Sequence, residues 1–183
     1  MTQELRALAA SYLTAKGEWS RINDQIMAGT PRAPVPQFSS PQAAADYYFV
    51  GRGNPYTGDP LRGALDYYLH PERLQAGLEG GPDEWKKLHI DCDDVAGIYL
   101  KMIQHLPGMD ARIFTVVDAR FTLNNMSHVI CAGSWNGQAF GLDTNGYRPL
   151  PNVTEATLCQ VWNAIYASYG ANYVIALETP YPF

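Results

Sequence analysis

The clearest hydrophobic pattern in the chain begins after residue 91. Apolar residues recur there at steps of three and four, the spacing of one helix face, at Val95, Ile98, Tyr99, Met102, Ile103 and Leu106. Asp91 is a suitable N-cap, and Asp94 three residues later completes the pattern of a capping box. Pro107 and Gly108 end the segment. The sequence therefore predicts an amphipathic helix that begins at Asp91.

Strand-forming segments follow this helix. Strands are predicted over residues 112–118, 127–135, 139–143 and 173–177. Asn136-Gly137 is a strong hairpin signal between the second and third of them. A helix capped by Thr154 is predicted to run to Tyr169. The order of helix, antiparallel strands, helix and strand indicates an α+β fold.

The first half of the chain has a helical pattern broken by turns. Helices are predicted over residues 2–16, 20–27, 41–49, 61–68 and 71–78. A proline-rich connector covers residues 30–36, and a turn-rich loop covers residues 51–60. We interpret residues 1–183 as a single domain in which residues 1–84 form a helical elaboration and residues 85–183 form the core.

Composition narrows the classes of function. The net charge is −5 and 46% of the residues are hydrophobic, which allows a packed core and argues against a nucleic-acid partner. No apolar run approaches the ~18 residues of a membrane span, and the N-terminus lacks the pattern of a signal peptide. Three widely spaced cysteines, with no C-x-x-C pair, indicate neither a disulfide framework nor a structural zinc site. We therefore expect a cytoplasmic protein without a membrane partner.

Cys92 lies in the first turn of the helix predicted after Asp91. Backbone N–H groups and the positive end of the helix dipole favour a thiolate at such a position. Three neighbouring carboxylates, on Asp91, Asp93 and Asp94, oppose thiolate formation unless they cap the helix. Considered alone, a cysteine in this setting is more often an inert packing residue.

His128 and Asp143 lie on the two strands of the predicted hairpin. A turn centred on residues 136 and 137 places residue 128 opposite residue 145, so Asp143 is a diagonal neighbour of His128. Cys131 points to the other face of its strand. A carboxylate beside an imidazole holds one tautomer and stabilises the imidazolium. Cys92, His128 and Asp143 therefore supply the nucleophile, base and orienting acid of an acyl-transfer site.

These segments resemble the transglutaminase-like superfamily. The resemblance rests on Asp91-Cys92-Asp93-Asp94-Val95-Ala96, Met109-Asp110-Ala111-Arg112, Ser127-His128-Val129 and Gly141-Leu142-Asp143, and it covers residues 85–151. The nearest branch is that of the bacterial transglutaminase-like cysteine proteinases. Ile90 stands where the family commonly has glycine, and Val129 stands where it usually has an aromatic residue.

The resemblance implies a papain-like fold in which a cysteine-bearing helix packs on an antiparallel sheet. It also implies a Cys92-His128-Asp143 triad that acts on a protein or peptide substrate, at peptide or side-chain amide bonds. Proteolysis is the first expectation and transamidation the second. We expect no cofactor and no metal. Some members of the branch bind calcium through acids flanking the cysteine, a role open to Asp91, Asp93 and Asp94, although capping also accounts for them.

Other interpretations stay open at the level of sequence. The backbone N–H of Cys92 is one candidate oxyanion donor, with Trp85 N–H or a side chain within residues 86–89 as the second. The chain is alternatively a non-catalytic binding or scaffold module of the same fold. A zinc site formed by the three triad residues and an amidase of the Cys-His-His type are further alternatives. The oligomeric state is not predicted, and GxGxxG, P-loop, GxSxG and HExxH motifs are absent.

Overall fold

The computed structural model describes residues 2–49, 67–121 and 127–183. Its helices are α1 (Thr2–Ile26), α2 (Pro41–Phe49), α3 (Pro71–Gly80), α4 (Pro82–Trp85), α5 (Cys92–Ile103) and α6 (Glu155–Ile165). Its strands are β1 (Asp110–Asp118), β2 (Ser127–Trp135), β3 (Gln138–Asp143), β4 (Gly146–Leu150) and β5 (Tyr173–Glu178). Short 3-10 turns cover Lys86–Leu88 and Ala167–Tyr169. The predicted α+β class is confirmed.

The strands form one antiparallel five-stranded sheet in the order β4-β3-β2-β1-β5. Asn136 and Gly137 both have positive φ, 50° and 77°, which is the backbone of a tight hairpin turn between β2 and β3. Cys131 pairs with Leu142 and Trp135 with Gln138, which is the register that the turn predicts. β4 was not predicted from the sequence, because Arg148 and Pro149 interrupt the alternation of apolar and polar residues in this short segment.

Successive residues on each strand face opposite sides of the sheet, and helices cover both sides. On one side α5 packs over β2, with Val129, Cys131 and Leu142 in the shared core. On the other side α6 packs over the sheet, where Ile130 and Ala132 meet Leu158 and Trp162. The odd residues of β2 therefore face α5 and the even residues face α6.

The N-terminal helix is longer than the sequence predicts. α1 runs without interruption from Thr2 to Ile26, so the prediction of two helices separated near Gly17 is wrong. A glycine inside a helix costs about 1 kcal/mol relative to alanine. Ala9 packs against β1 and β5, and Lys16 and Ser20 are buried. These contacts on both sides of Gly17 offset that cost.

The remaining N-terminal predictions have mixed outcomes. Ser40 caps α2 through a bond from Ala43 N, and α3 begins at Pro71 as expected. The turn-rich loop 51–60 lies outside the described residues, as does most of the helix predicted over Leu61–Tyr68, whose last two residues are not helical. Side chains from α2, α3 and α4 share one core cluster with α5 and the sheet. In the part of the chain that the structure describes, no helix is both long and apolar enough to cross a bilayer.

Candidate active site

The first turn of α5 is closed by its own acidic residues. The Asp91 carboxylate accepts a hydrogen bond from Asp93 N at 3.2 Å, and Asp94 Oδ2 accepts one from Asp91 N at 3.2 Å. These two bonds are the predicted capping box. Cys92 is the first residue of the helix and is partly exposed. The cap fixes the backbone that carries the thiol.

Two of the three carboxylates beside Cys92 have further partners. Asp94 Oδ1 accepts a bond from Leu69 N at 2.6 Å, and Asp93 Oδ1 accepts one from Asp94 N at 3.0 Å. Asp93 Oδ2 lies 2.6 Å from Lys16 Nζ of α1. All three acids are buried. The acidic triplet therefore has capping, backbone and lysine partners, which supports the capping interpretation.

The predicted pair on the hairpin is in direct contact. His128 Nε2 and Asp143 Oδ2 are 2.9 Å apart, and both side chains are buried. The β2–β3 register, extended by one residue beyond the Cys131–Leu142 pair, brings Asp143 opposite Ile130, two residues from His128 on the same face. The 2.9 Å contact confirms the predicted diagonal. Because the pair uses Nε2, the imidazole presents Nδ1 on its other side.

The Asp143 carboxylate is held by donors from several elements. Trp162 Nε1 of α6 donates to Oδ2 at 2.9 Å, and Asn145 N donates to Oδ1 at 2.8 Å. Burial of the carboxyl raises its pKa, but the hydrogen bonds from His128, Trp162 and Asn145 outweigh burial and lower the pKa of Asp143. Asp143 therefore stays ionised and can stabilise a positive charge on His128.

Tyr166, at the C-terminal end of α6, completes this cluster. Its hydroxyl lies 3.3 Å from His128 Nε2 and 3.4 Å from Asp143 Oδ2, and it accepts a bond from Asn145 Nδ2 at 2.9 Å. Its ring meets the imidazole edge to face, with centroids 4.9 Å apart. Burial raises the pKa of Tyr166 to about 12, and the charges of Asp143 and Cys92 add to that shift.

Sequence reasoning missed Trp162 and Tyr166 as site residues. The available signal was the spacing of Leu158, Trp162 and Tyr166, at steps of four along one face of the predicted helix. Buried Trp and Tyr each need a partner for the polar group on the ring. Gly141 makes room for the indole, because a Cβ there would lie 2.5 Å from Trp162 Cη2.

Cys92 lies at the same end of the sheet as this pair. Trp135 Nε1 donates to Pro107 O at 3.2 Å, so the chain that leaves α5 lies beside the end of β2. The opposite end of α5 therefore points toward the beginning of β2, where His128 lies. Burial raises the pKa of Tyr173, and a charge on Cys92 adds to that shift. His128 faces α6, whereas Cys92 begins α5, which packs on the other side of the sheet.

The other two cysteines are packing residues. Cys131 is fully buried on the α5 side of the sheet, and burial raises the pKa of its thiol well above the ordinary range. Cys159 lies on α6, where burial raises its pKa to about 11. Neither is poised to act as a nucleophile, and none of the three cysteines forms a disulfide.

The structure changes the set of oxyanion donors. Trp85 N donates to Gly81 O at 3.1 Å, so the expectation that it serves as the second donor is not supported. His89 has a left-handed backbone, with φ of 55°, and turns the chain from the Lys86–Leu88 turn toward Asp91. The backbone N–H of Cys92 belongs to the first turn of α5, whose N–H groups have no acceptor within their own helix.

The triad residues do not form a metal-binding group. Among the described residues, Asp91, Asp93 and Asp94 are the set of three candidate ligands whose oxygens lie within 4.8 Å of one another. Cys92, His128 and Asp143 do not meet that spacing, and Asp143 already interacts with His128, Asn145 and Trp162 through hydrogen bonds. The geometry therefore disfavours the zinc alternative.

A separate cavity of about 530 Å³ lies at the other end of the sheet. Arg112, Phe114, Ser134 and Asn152 are among its lining residues, and His128 and Asp143 are not. The guanidinium of Arg112 pairs with Asp110 and Glu178. The hydrogen-bonded cluster around Asp143, rather than this cavity, marks the candidate active site.

Comparisons with known proteins identify no relative of this chain. No protein-family model matches the chain, and searches of the curated proteins and of the solved structures return no match. Fold and site are therefore argued from the residues and their geometry.

Proposed function

We propose that this chain is a cysteine-dependent hydrolase or acyltransferase that acts on peptide or side-chain amide bonds. The observation that carries the proposal is the 2.9 Å contact between His128 Nε2 and Asp143, in a chain whose Cys92 lies in the capped first turn of α5. We further propose a transglutaminase-like, papain-like arrangement of the fold, in the branch of the cysteine proteinases.

In the proposed reaction, Asp143 keeps the proton of the neutral imidazole on Nε2, so Nδ1 is the basic nitrogen. Nδ1 takes the proton of the Cys92 thiol, and the thiolate attacks the carbonyl carbon of the amide. The oxyanion is stabilised by the backbone N–H of Cys92 and by the N-terminal end of α5. The C–N bond then breaks, His128 returns the proton to the leaving amine, and a thioester remains on Cys92.

The second half of the reaction restores the thiol. Water or an amine attacks the thioester carbonyl and loses a proton to His128. The C–S bond then breaks, and His128 returns this proton to the sulfur of Cys92. Water gives hydrolysis and an amine gives transamidation. A reducing compartment such as the cytoplasm fits this chemistry, because the nucleophile is needed as a thiol and none of the cysteines forms a disulfide.

The proposal is tested by trapping the acyl-enzyme. The protein is mixed with a panel of peptides and glutamine-containing peptides, quenched in acid and digested, and the mass of each cysteine-containing peptide is measured. We expect an acyl adduct on Cys92 that disappears in Cys92→Ala. A primary amine added to the reaction shows whether it competes with water. Adducts on Cys131 or Cys159, or turnover that survives Cys92→Ala, would refute the proposal.

A further inference from the structure

We infer that Lys16 is a positioning residue for Cys92, supplied by α1 to balance the acidic first turn of α5. The inference rests on the proposed function, since it takes Cys92 as the nucleophile. It gives a role to the N-terminal helix, which the triad itself does not use.

The contact is an ion pair removed from water. Lys16 Nζ lies 2.6 Å from Asp93 Oδ2, and the two side chains are 3% and 0% exposed. Asp93 Oδ2 accepts no hydrogen bond from any other described residue, so the ammonium is what compensates this oxygen. Burying a lysine and an aspartate costs several kcal/mol per ion unless they pair closely. The close contact between Lys16 and Asp93 therefore offsets the cost of burying both charges.

Further contacts hold the lysine in place. Its ammonium lies 4.8 Å from the centroid of the Tyr68 ring. Ser20, one turn farther along α1, donates to Lys16 O and accepts a bond from Tyr68 N at 2.8 Å. The next residue, Leu69, donates its N–H to Asp94. Residues 68–69 thus connect α1 to the first turn of α5 through hydrogen bonds. Lys16 contacts the same turn through Asp93.

The charges around Cys92 explain why the pair matters for chemistry. Asp91, Asp93 and Asp94 are within two residues of Cys92 in the chain, and their negative charges oppose formation of a thiolate. Lys16 of α1 carries the positive charge that is paired with one of them. Other titratable side chains near this end of α5 are Tyr68, which lies beside the Lys16 ammonium, and Tyr181, whose pKa is raised by burial and by the charge of Asp94. A charge on Cys92 adds to the raised pKa values of Tyr166 and Tyr173, and Tyr166 in turn contacts His128 and Asp143. Because the pair is buried, salt screens its field only weakly.

In this role, removing the charge of Lys16 and removing the charge of Asp93 should change the thiolate fraction of Cys92 in opposite directions. Removing the Lys16 charge leaves Asp93 as an uncompensated anion next to the thiol and disfavours the thiolate. Removing the Asp93 charge leaves the ammonium and favours the thiolate. A purely structural pair would instead loosen the helix start in both variants and would not give shifts of opposite sign.

The test is the pH dependence of iodoacetamide alkylation at Cys92, followed by the mass of the Cys92 peptide. We expect Lys16→Met to move the midpoint of the profile upward by about one pH unit, a tenfold change in thiolate fraction. Asp93→Asn should move it downward, and the double variant should return close to the parent. Arg73→Met is the matched control, since Arg73 is buried and pairs with the partly buried Asp24, about 12 Å farther along α1 than Lys16. It should lower the melting temperature and leave the midpoint unchanged.

Shifts of the same sign in the two single variants, or an unchanged midpoint, would overturn the inference. Where Lys16→Met does not fold, the comparison of Asp93→Asn with the double variant isolates the lysine charge, and an equal midpoint in those two proteins overturns it. The alkylation profile needs no substrate. Failure of the proposed function would appear separately, as amide turnover that is absent or independent of Cys92.

Discussion

The two sides of the candidate site are assembled differently. On the nucleophile side, Asp91 and Asp94 cap the turn that carries Cys92, so most of its contacts join residues within four positions of each other. On the base side, one carboxylate collects donors that come from β2, from α6 and from the turn after β3. The first arrangement is local in sequence, whereas the second depends on the packed sheet and helix.

Because of this difference, substitutions on the two sides should affect different properties, stability on the first side and activity on the second. A capped helix start forms with its helix, and a change there acts first on folding. The Asp143 cluster forms only when α6 docks on the sheet, and a change there acts first on the tautomer and charge of His128. Substitutions on the base side should therefore reduce activity by much more than they reduce stability.

The largest effect that we expect on the base side comes from Asp143→Asn. The neutral amide cannot stabilise a positively charged imidazole. Its NH₂ group can also donate to Nε2, which favours the wrong tautomer of His128, with the proton on Nδ1. We therefore expect kcat/KM to fall about 10³- to 10⁴-fold. Asp110→Asn, at the exposed far end of the sheet, is the matched control and should have little effect. A loss below tenfold in Asp143→Asn would mean that the contact is structural.

A smaller effect is expected from Trp162→Phe. The change removes the N–H that donates to Asp143 while keeping an aromatic ring against Gly141, so kcat/KM should fall about tenfold. Trp135→Phe removes an indole donor at the opposite end of β2 and controls for the general cost of this substitution. Equal kinetic losses in the two variants would contradict the special role of Trp162.

Tyr166→Phe should reduce kcat/KM by about two- to fivefold. Because burial holds the pKa of Tyr166 near 12, the hydroxyl stays protonated through neutral and mildly alkaline pH. The loss should therefore be the same at pH 6 and pH 9. Tyr169→Phe, at an exposed ring on the same helical segment, is the control. A loss confined to alkaline pH would show that Tyr166 titrates in that range.

The smallest effect concerns stability in acid. The pKa of Asp143 is lower in the folded chain than the value of about 3.9 in an unfolded chain, so its ionised form favours folding. That contribution is present above the unfolded value and is lost as the pH falls through the folded one. The melting temperature of the parent should exceed that of Asp143→Asn at pH 7, by about 3 °C, and the gap should close in acid. A gap that widens on acidification would reverse the sign of this linkage.

The same contrast between local and long-range contacts explains which features could be predicted from the sequence. The Asp91 cap, the start of α5 and the Asn136-Gly137 turn are encoded by adjacent residues, and all three were predicted. The hairpin register then follows from the turn, and with it the contact between His128 and Asp143. These features need no knowledge of how distant elements pack.

The features that were missed all depend on distant packing. Lys16 meets Asp93 only because the fold brings α1 to the start of α5, a long-range contact that no local pattern predicts. Trp162 and Tyr166 reach the hairpin only because α6 covers the even face of β2. Strand alternation shows that His128 and Cys131 face opposite sides, but it does not show which helix covers each side.

The most direct test of the account is the pH profile of Cys92 alkylation in the parent and in His128→Ala. A thiol that shares its proton with an Asp143-bound imidazole should react with a midpoint below the value of about 8.5 for an ordinary cysteine. Removing the imidazole should raise that midpoint toward the ordinary value, by about two pH units, with Cys131 and Cys159 unlabelled in both proteins. The same midpoint in the parent and in His128→Ala would contradict the proposed pairing of Cys92 with His128.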